Sequence, residues 1–259
     1  MHAGSAPADG AGMARRMHIR LTRSESQEIF INISKSFHAK RKRHYNHGTM
    51  NDETTHYSDR EIISRWAVAE INPGIAHVLS GEEQAHADAD RCIGFFYVDH
   101  EEGVTFRIHA LCRAEPGRPP EIVVNFKDHG EGLILHLDDM GAYALLSEGE
   151  ANDLALLEEQ RWLIYYEPEH LQAVRKRVDL DRFRASGYFD DVSVILLSRD
   201  RNVVPEGVWV RLEGQSDDAT SLRGTLLNEP YSDFGVHEGA MITVRLVEGE
   251  DGRFLVAEV

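Results

Sequence analysis

The sequence predicts an α+β fold, in which an antiparallel β meander with covering helices is followed by a small all-β barrel. Three observations predict it. Apolar residues alternate in four segments between residues 92 and 137, segments with helical spacing flank these strands, and only strand patterns follow residue 188. The chain is accordingly divided into a disordered extension (1–18), an α+β domain (19–187) and a small β-barrel domain (188–259).

The first helix is predicted over residues 58–71, "SDREIISRWAVAEI". Ser58 and Glu61 have the spacing of a capping box, in which the glutamate reaches back to the first residue of the helix. Apolar residues at helical spacing form one face, and Asn-Pro-Gly at 72–74 ends the helix. We expect this helix to cover one side of the meander.

The clearest hairpin joins "CIGFFYV" and "VTFRIHALC" through "DHEEG", over residues 92–112. With Val98 opposite Val104, one face of the hairpin is entirely apolar, whereas a shift of one residue would mix the two faces. This register places Cys92 diagonal to Cys112, which is somewhat far for a disulfide. Because the chain has only two cysteines, we expect reduced core thiols and a reducing compartment.

A second hairpin is predicted from "EIVVNFK" and "GLILHL", over residues 121–137. Its apolar residues share one face if the connecting loop has an even length, as the four residues 128–131 provide. Ser147 and Glu150 repeat the capping-box spacing at the start of a second helix. Pro168 suits the first position of a third helix.

Five strand segments in the C-terminal part predict a small barrel of the SH3-like or OB-like kind. The turn between the third and fourth segments crowds Glu229, Asp233, His237 and Glu238 together. These side chains are of the types that perform acid–base chemistry or bind metals, but neither a nucleophile nor a fixed ligand spacing accompanies them. We interpret them as binding residues for a partner and predict no catalytic residue and no metal site.

The same region carries a pattern of backbone-determining residues. They are Trp209-Val210, Gly224, Leu226, Asn228, Pro230, Gly235-Val236 and Gly239. In this pattern the C-terminal segment resembles the bacterial domain-of-unknown-function family 2314. Ala240 stands where that family usually has aspartate, so any role of that aspartate is absent or moved.

The resemblance implies an accessory protein, because relatives of the family occur among the immunity proteins of bacterial toxin systems. It implies no mechanism. The pattern also has a physical interpretation: Gly224 permits a bulge or a close backbone approach, and Asn228 starts a turn by bonding its own backbone. We further expect Tyr231 and Val236 to plug the end of the barrel.

The formal charge of −16 favours a basic protein as partner and disfavours nucleic acid and anionic membranes. Three aromatic residues, Trp162, Tyr165 and Tyr166, are candidate anchors of such an interface. The leading hypothesis is therefore a non-enzymatic, immunity-like protein that neutralises a basic toxin by binding it. The sequence contains no P-loop, nucleophile-elbow, zinc-protease or paired-CxxC motif, and no cofactor is predicted.

An alternative function is carried by the basic, histidine-rich segment 38–56. Lys40, Arg41, Lys42 and Arg43 form the longest basic run of the sequence, and histidines lie on both sides of it. Such a patch suits phosphate groups, and the histidines suit a metal. This alternative predicts a metal-dependent enzyme or a nucleic-acid-processing factor.

The cellular location is predicted to be the cytoplasm. No apolar run is long enough to span a membrane, and the first 20 residues lack the apolar core of a secretory signal. Met13 and Met17 are candidate translation starts.

Overall fold

The computed structural model describes residues 57–79, 89–115, 118–126, 133–156, 161–200, 202–216, 220–249 and 252–259. These residues form an α+β fold with two six-stranded sheets. The first sheet contains β1 (Trp66–Glu70), β2 (Arg91–Asp99), β3 (Gly103–Arg113), β4 (Glu121–Asn125), β5 (Leu133–His136) and β6 (Tyr143–Leu145). The second contains β7 (Arg184–Ala185), β8 (Tyr188–Leu197), β9 (Glu206–Gln215), β10 (Leu222–Leu226), β11 (Met241–Gly249) and β12 (Gly252–Glu258).

The helices of the described residues are short. The α-helices are α1 (Asp59–Ile62), α2 (Pro73–Leu79), α3 (Glu148–Asp153) and α4 (Glu169–Arg175), and 3₁₀ helices span Leu137–Asp139, Arg161–Tyr165 and Val178–Phe183. Helices of this length are marginal in isolation, so they depend on packing against the sheets.

The second sheet closes into the predicted five-stranded barrel. Strands β8 to β12 are neighbours in sequence order, and β12 pairs in parallel with β8 to complete the circle. This order differs from the Greek-key path of an OB fold. The apolar core of the barrel includes Val174, Leu180 and Phe183, which precede the predicted boundary at residue 188. The domain limits themselves stay a prediction.

The first sheet is antiparallel and places β1 between β2 and β6. The predicted helix over 58–71 is therefore wrong beyond Ile62. The capping box is present, since the Glu61 carboxylate accepts hydrogen bonds from the Ser58 backbone and hydroxyl at 2.7 Å. After α1 the chain turns at Ser64, which has a φ of 62°. Residues 66–70 then pair with β2, and residues 67–69 pair also with β6. Tertiary pairing thus overrides the helical spacing of the apolar residues.

The first hairpin confirms Val98 opposite Val104, but a bulge follows Ile93. A Cβ at Gly94 would lie 2.4 Å from the Arg107 carbonyl oxygen, so the bulge brings the two backbones very close. The bulge places Cys92 opposite Leu111 and Arg91 opposite Cys112. The predicted diagonal placement of Cys92 and Cys112 is therefore wrong. Both cysteines are buried free thiols. Burial raises the pKa of each to about 12, which keeps the thiols protonated.

The predicted second hairpin is wrong, because β4 and β5 pair with β3 and not with each other. Strand β4 pairs with the C-terminal part of β3, and β5 pairs with its N-terminal part. Strand β3 is 11 residues long, so one of its edges accommodates two short strands end to end. The local pattern marked both strands correctly, but it carried no information on this long-range pairing.

Apolar side chains cover both faces of the first sheet. One cluster includes Phe96, Phe106 and Ile108, and the opposite cluster includes Trp66, Phe95 and Tyr97. The second cluster is completed by residues of α3 and of the 3₁₀ helix Arg161–Tyr165. This packing fixes the segment that carries the predicted aromatic anchors.

Gly224 is expected to stabilise the barrel. A register shift between Arg223 and Gly224 confirms the predicted bulge. A Cβ at Gly224 would lie 2.4 Å from Val210 Cγ1 and 2.6 Å from the Arg211 carbonyl oxygen. Gly224→Ala should lower the free energy of unfolding by about 1–3 kcal/mol because the backbone oxygen has no room to move. Urea denaturation measures this change.

Gly149 provides the matched control. It lies within α3, and the nearest atom to an added Cβ is Ser147 Oγ at 4.0 Å. Gly149→Ala should raise the free energy of unfolding by about 0.5–1 kcal/mol through the better helix propensity of alanine. Equal effects of the two substitutions would contradict the assigned role of the bulge.

Candidate functional site

A cluster of charged side chains lies where the first sheet contacts the barrel. The tip of the β2–β3 hairpin docks against the turn before β8, and the Val104 N–H donates to the Gly187 carbonyl at 2.8 Å. A Cβ at Gly103 would lie 2.2 Å from that same carbonyl oxygen, and the φ of Gly103 is 89°. Glycine therefore allows the two backbones to touch. The contact brings His100, at the hairpin tip, to the barrel.

Two consecutive aspartates of β8 form the centre of this cluster. Asp190 and Asp191 are 2% and 1% exposed. Arg175 of α4 holds Asp190, with its Nη2 2.6 Å from Oδ2 and its Nε 3.0 Å from Oδ1. Arg211 of β9 donates to Asp191 Oδ1 at 2.8 Å. Burial of unpaired carboxylates would be very unfavourable, so these arginines are required by the fold.

His100 bridges two carboxylates of the barrel. Its Nδ1 lies 2.9 Å from Asp190 Oδ2, and its Nε2 lies 3.0 Å from Glu213 Oε2. The Thr225 hydroxyl donates to the other Glu213 oxygen at 2.8 Å. Burial lowers the pKa of His100, but the hydrogen bonds to Asp190 and Glu213 raise it by more, so the pKa lies above its ordinary value. These six side chains, named here the interface cluster, are His100, Arg175, Asp190, Asp191, Arg211 and Glu213.

A second ionic group lies beside the interface cluster. Asp181 pairs with Arg184 at 3.1 Å and accepts a hydrogen bond at 2.6 Å from Arg60, which comes from α1. The neighbouring Asp59 accepts a hydrogen bond from the Gly187 N–H at 2.7 Å. Burial is the main cause that raises the pKa of Asp59. Side chains of α1 are thus joined to the segment that precedes β8 by charge-assisted hydrogen bonds.

The interface cluster holds the fold together and offers no open catalytic arrangement. Both ring nitrogens of His100 already face carboxylate oxygens, and Asp190 is fully enclosed. A general base needs a free lone pair that a substrate proton can reach. The two cysteine thiols are buried and protonated, as described above. The described residues thus place no activated nucleophile beside this histidine.

The acidic turn of the barrel, residues 227–240, uses its carboxylates to hold its own backbone. Glu229 accepts hydrogen bonds from His237 Nδ1 at 2.7 Å and from the Glu238 N–H at 2.9 Å. The Asp233 carboxylate accepts one from the Gly235 N–H at 3.0 Å. The hydrogen bond to Glu229 raises the pKa of His237. The predicted binding residues are therefore brought together, and all four are exposed.

Other predictions for this turn are partly confirmed. Gly235 and Gly239 have φ values of 72° and 86°. The Asn228 Oδ1 accepts a hydrogen bond from the Trp209 N–H at 2.8 Å. The prediction that Asn228 bonds its own backbone is therefore wrong. Val236 packs against the barrel core as expected. The prediction for Tyr231 is wrong, because this residue is 88% exposed and Phe234 is buried in its place.

The three predicted aromatic anchors take different positions. Trp162 and Tyr166 are half-buried and pack against Tyr97, with ring centroids 4.9 and 4.6 Å apart. Tyr165 is 84% exposed, and its neighbour Ile164 is 73% exposed. Sequence reasoning missed Ile164, because an isoleucine within the apolar run "WLIYY" gives no signal of its exposure. Two of the three predicted anchors are thus half-buried and support the third, the exposed Tyr165.

The remaining predictions concern residues outside the described part of the chain. Lys40, Arg41, Lys42 and Arg43, with the rest of segment 38–56, lie there, so the alternative function stays a prediction. Among the described residues, no group of three or more His, Cys, Asp or Glu side chains is arranged to hold a metal. No helix in the described ranges is long and apolar enough to cross a membrane.

No protein-family model matches this chain, and neither a curated protein nor a solved structure matches it. The resemblance to family 2314 therefore stays a prediction.

The interface cluster was not predicted from the sequence. Its signal was present in "YFDDVSVILL", where two aspartates interrupt an apolar strand of the barrel. Charged residues in a strand of this kind are buried only when they are paired. The partners come from residues 100, 175, 211 and 213, which only the tertiary structure brings together.

Asp190→Asn tests how much the interface cluster contributes to the free energy of unfolding. The substitution leaves the mostly buried Arg175 without its counter-charge, so the free energy of unfolding should fall by about 3–5 kcal/mol. Glu248→Gln is the control, because Glu248 pairs with Arg253 at the surface and should cost less than about 1 kcal/mol. Chemical denaturation of both variants measures the difference. Similar losses would show that the cluster contributes no more than a surface pair.

Proposed function

We propose that this chain is a non-enzymatic, cytoplasmic protein that acts by binding another protein through Ile164 and Tyr165. The observation that carries the proposal is the exposure of these two large side chains, 73% and 84%, at consecutive positions of the 3₁₀ helix Arg161–Tyr165. Aromatic residues in such positions are frequent interface anchors. We name this pair the docking surface.

Packing contacts and a hydrogen bond hold the segment that carries the docking surface, which favours binding. Trp162 and Tyr166 hold the segment against the first sheet through their contacts with Tyr97. The Arg107 guanidinium lies 4.5 Å from the centre of the Trp162 ring. The Arg175 Nη1 donates to the Tyr166 carbonyl at 2.6 Å. A side chain held on an ordered backbone loses little further entropy when a partner binds.

The charge near the docking surface supports a basic partner. Helix α3 and the 3₁₀ helix cover the same face of the first sheet, and α4 follows directly in the chain. The exposed acidic residues of these segments are Glu148, Glu150, Asp153, Glu167 and Glu169. Together with the net charge of −16, they would steer a basic protein toward the site. A toxin-neutralising role is the most concrete form of the proposal, and the resemblance to family 2314 favours it.

Substitution of Tyr165 tests the docking surface. A stoichiometric partner is captured from native lysate on the immobilised full chain and identified by mass spectrometry, and its affinity is then measured. Tyr165→Ala should weaken binding about 30-fold, which corresponds to about 2 kcal/mol. Tyr231→Ala is the matched control, because Tyr231 is equally exposed but lies on the barrel turn. Higher salt should slow association if the partner is basic.

Two results would contradict the proposal. The first is the absence of any stoichiometric partner, and the second is an equal loss of binding in both tyrosine variants. The toxin-neutralising form has its own test: co-expression of this chain should restore growth to cells that produce the captured partner, and Tyr165→Ala should reduce that protection.

A further inference from the structure

We propose that His100 is a pH-sensitive latch, which fastens the β2–β3 hairpin to the barrel when protonated and releases Glu213 when it loses its proton. The latch goes beyond the proposed binding function and does not depend on it. It rests on the position of one imidazole between two carboxylates that belong to different strands, β8 and β9.

The geometry requires two protons on the ring. Nδ1 and Nε2 each lie within hydrogen-bond distance of a carboxylate oxygen, at 2.9 and 3.0 Å. A carboxylate only accepts hydrogen bonds, and a neutral imidazole has one donor and one acceptor. Loss of a proton therefore turns one of the two hydrogen bonds into a contact between a lone pair and an anion.

The contact with Glu213 is the one that breaks. Asp190 is 2% exposed and is also held by Arg175, so the neutral ring keeps its proton on Nδ1. Glu213 is partly exposed and retains the hydrogen bond from Thr225. The Glu213 oxygen that faces His100 can therefore turn to water at low cost while the other oxygen keeps its hydrogen bond from Thr225. Asp190 has no comparable route to solvent.

The balance of charge around His100 also favours a protonated ring in the closed arrangement. On the barrel side, the charged groups are Asp190 and Asp191 of β8, Arg211 and Glu213 of β9, and Arg175 of α4; Asp99, Glu101 and Glu102 belong to the hairpin itself. Within the interface cluster, three carboxylates face two arginines and His100. The cluster is neutral when the imidazole is protonated and carries one unbalanced negative charge when it is not.

The direction of the pH effect follows from linkage. The pKa of His100 is raised in the folded chain above its ordinary value near 6.5. The stabilisation is therefore complete below about pH 6.5 and is lost as the pH rises through the folded-state pKa. Across that window, the equilibrium constant for opening of the contact between His100 and Glu213 should rise by up to tenfold per pH unit, and it should level off above the folded-state pKa.

Hydrogen exchange and NMR on the full chain test the latch. The His100 ring signals should titrate with a midpoint above 6.5. Amide protection of residues 99–104 and 211–213, corrected for the intrinsic pH dependence of exchange, should fall across the same window. In His100→Gln this fall should be absent, because glutamine does not titrate.

Two further variants keep the test decisive if His100→Gln does not fold. Glu213→Gln replaces the anion with an amide that donates to the neutral ring, so it should lower the His100 midpoint and flatten the change in protection. His237→Gln is the control, because His237 also pairs with a carboxylate but is exposed on the barrel turn. It should leave the profile of residues 99–104 unchanged.

Three results would overturn the latch. They are a His100 midpoint at or below 6.5, a wild-type pH profile in either His100→Gln or Glu213→Gln, and a profile that disappears only in His237→Gln.

Discussion

The ion pair between Asp190 and Arg175 is the interaction on which the arrangement of this protein depends. A carboxylate that is 2% exposed must be neutralised by partners inside the protein. Those partners come from α4 and from the tip of the β2–β3 hairpin, so burial of one charge fixes two other elements against the barrel. Apolar contacts alone would permit these elements to slide, whereas bidentate hydrogen bonds specify one position.

The same arginine extends the constraint toward the docking surface. Arg175 holds Asp190 with two nitrogens and the Tyr166 carbonyl with the third. The backbone beside Tyr165 is therefore tied to the centre of the molecule, although its side chain points into solvent. An exposed tyrosine on a fixed backbone differs physically from one on a free loop, because its position is set before a partner arrives.

The sequence predicted those features that local physics controls. Local patterns predicted the register of Val98 with Val104 and the contacts of Glu61 and Glu150 with their capping serines. They also predicted the bulge at Gly224 and the five barrel strands. Features that depend on distant residues were missed, namely the strand at 66–70 and the pairing of β4 and β5 with β3. The interface cluster belongs to this second class, because its partners lie far apart in the chain.

The acidic turn shows why residue chemistry alone misdirects the search for a site. Glu229 and Asp233 resemble catalytic carboxylates in the sequence, but in the fold they accept hydrogen bonds from the N–H groups of their own turn. Glu206 of β9 likewise accepts hydrogen bonds from the N–H groups of Tyr231 and Ser232. A turn without a regular ladder must satisfy its N–H groups in some other way, and carboxylates do so efficiently. The carboxylates of Glu229 and Asp233 are thus accounted for by backbone hydrogen bonds. The features that call for a further explanation are the exposed side chains of Ile164 and Tyr165 and the contacts of His100 with two carboxylates.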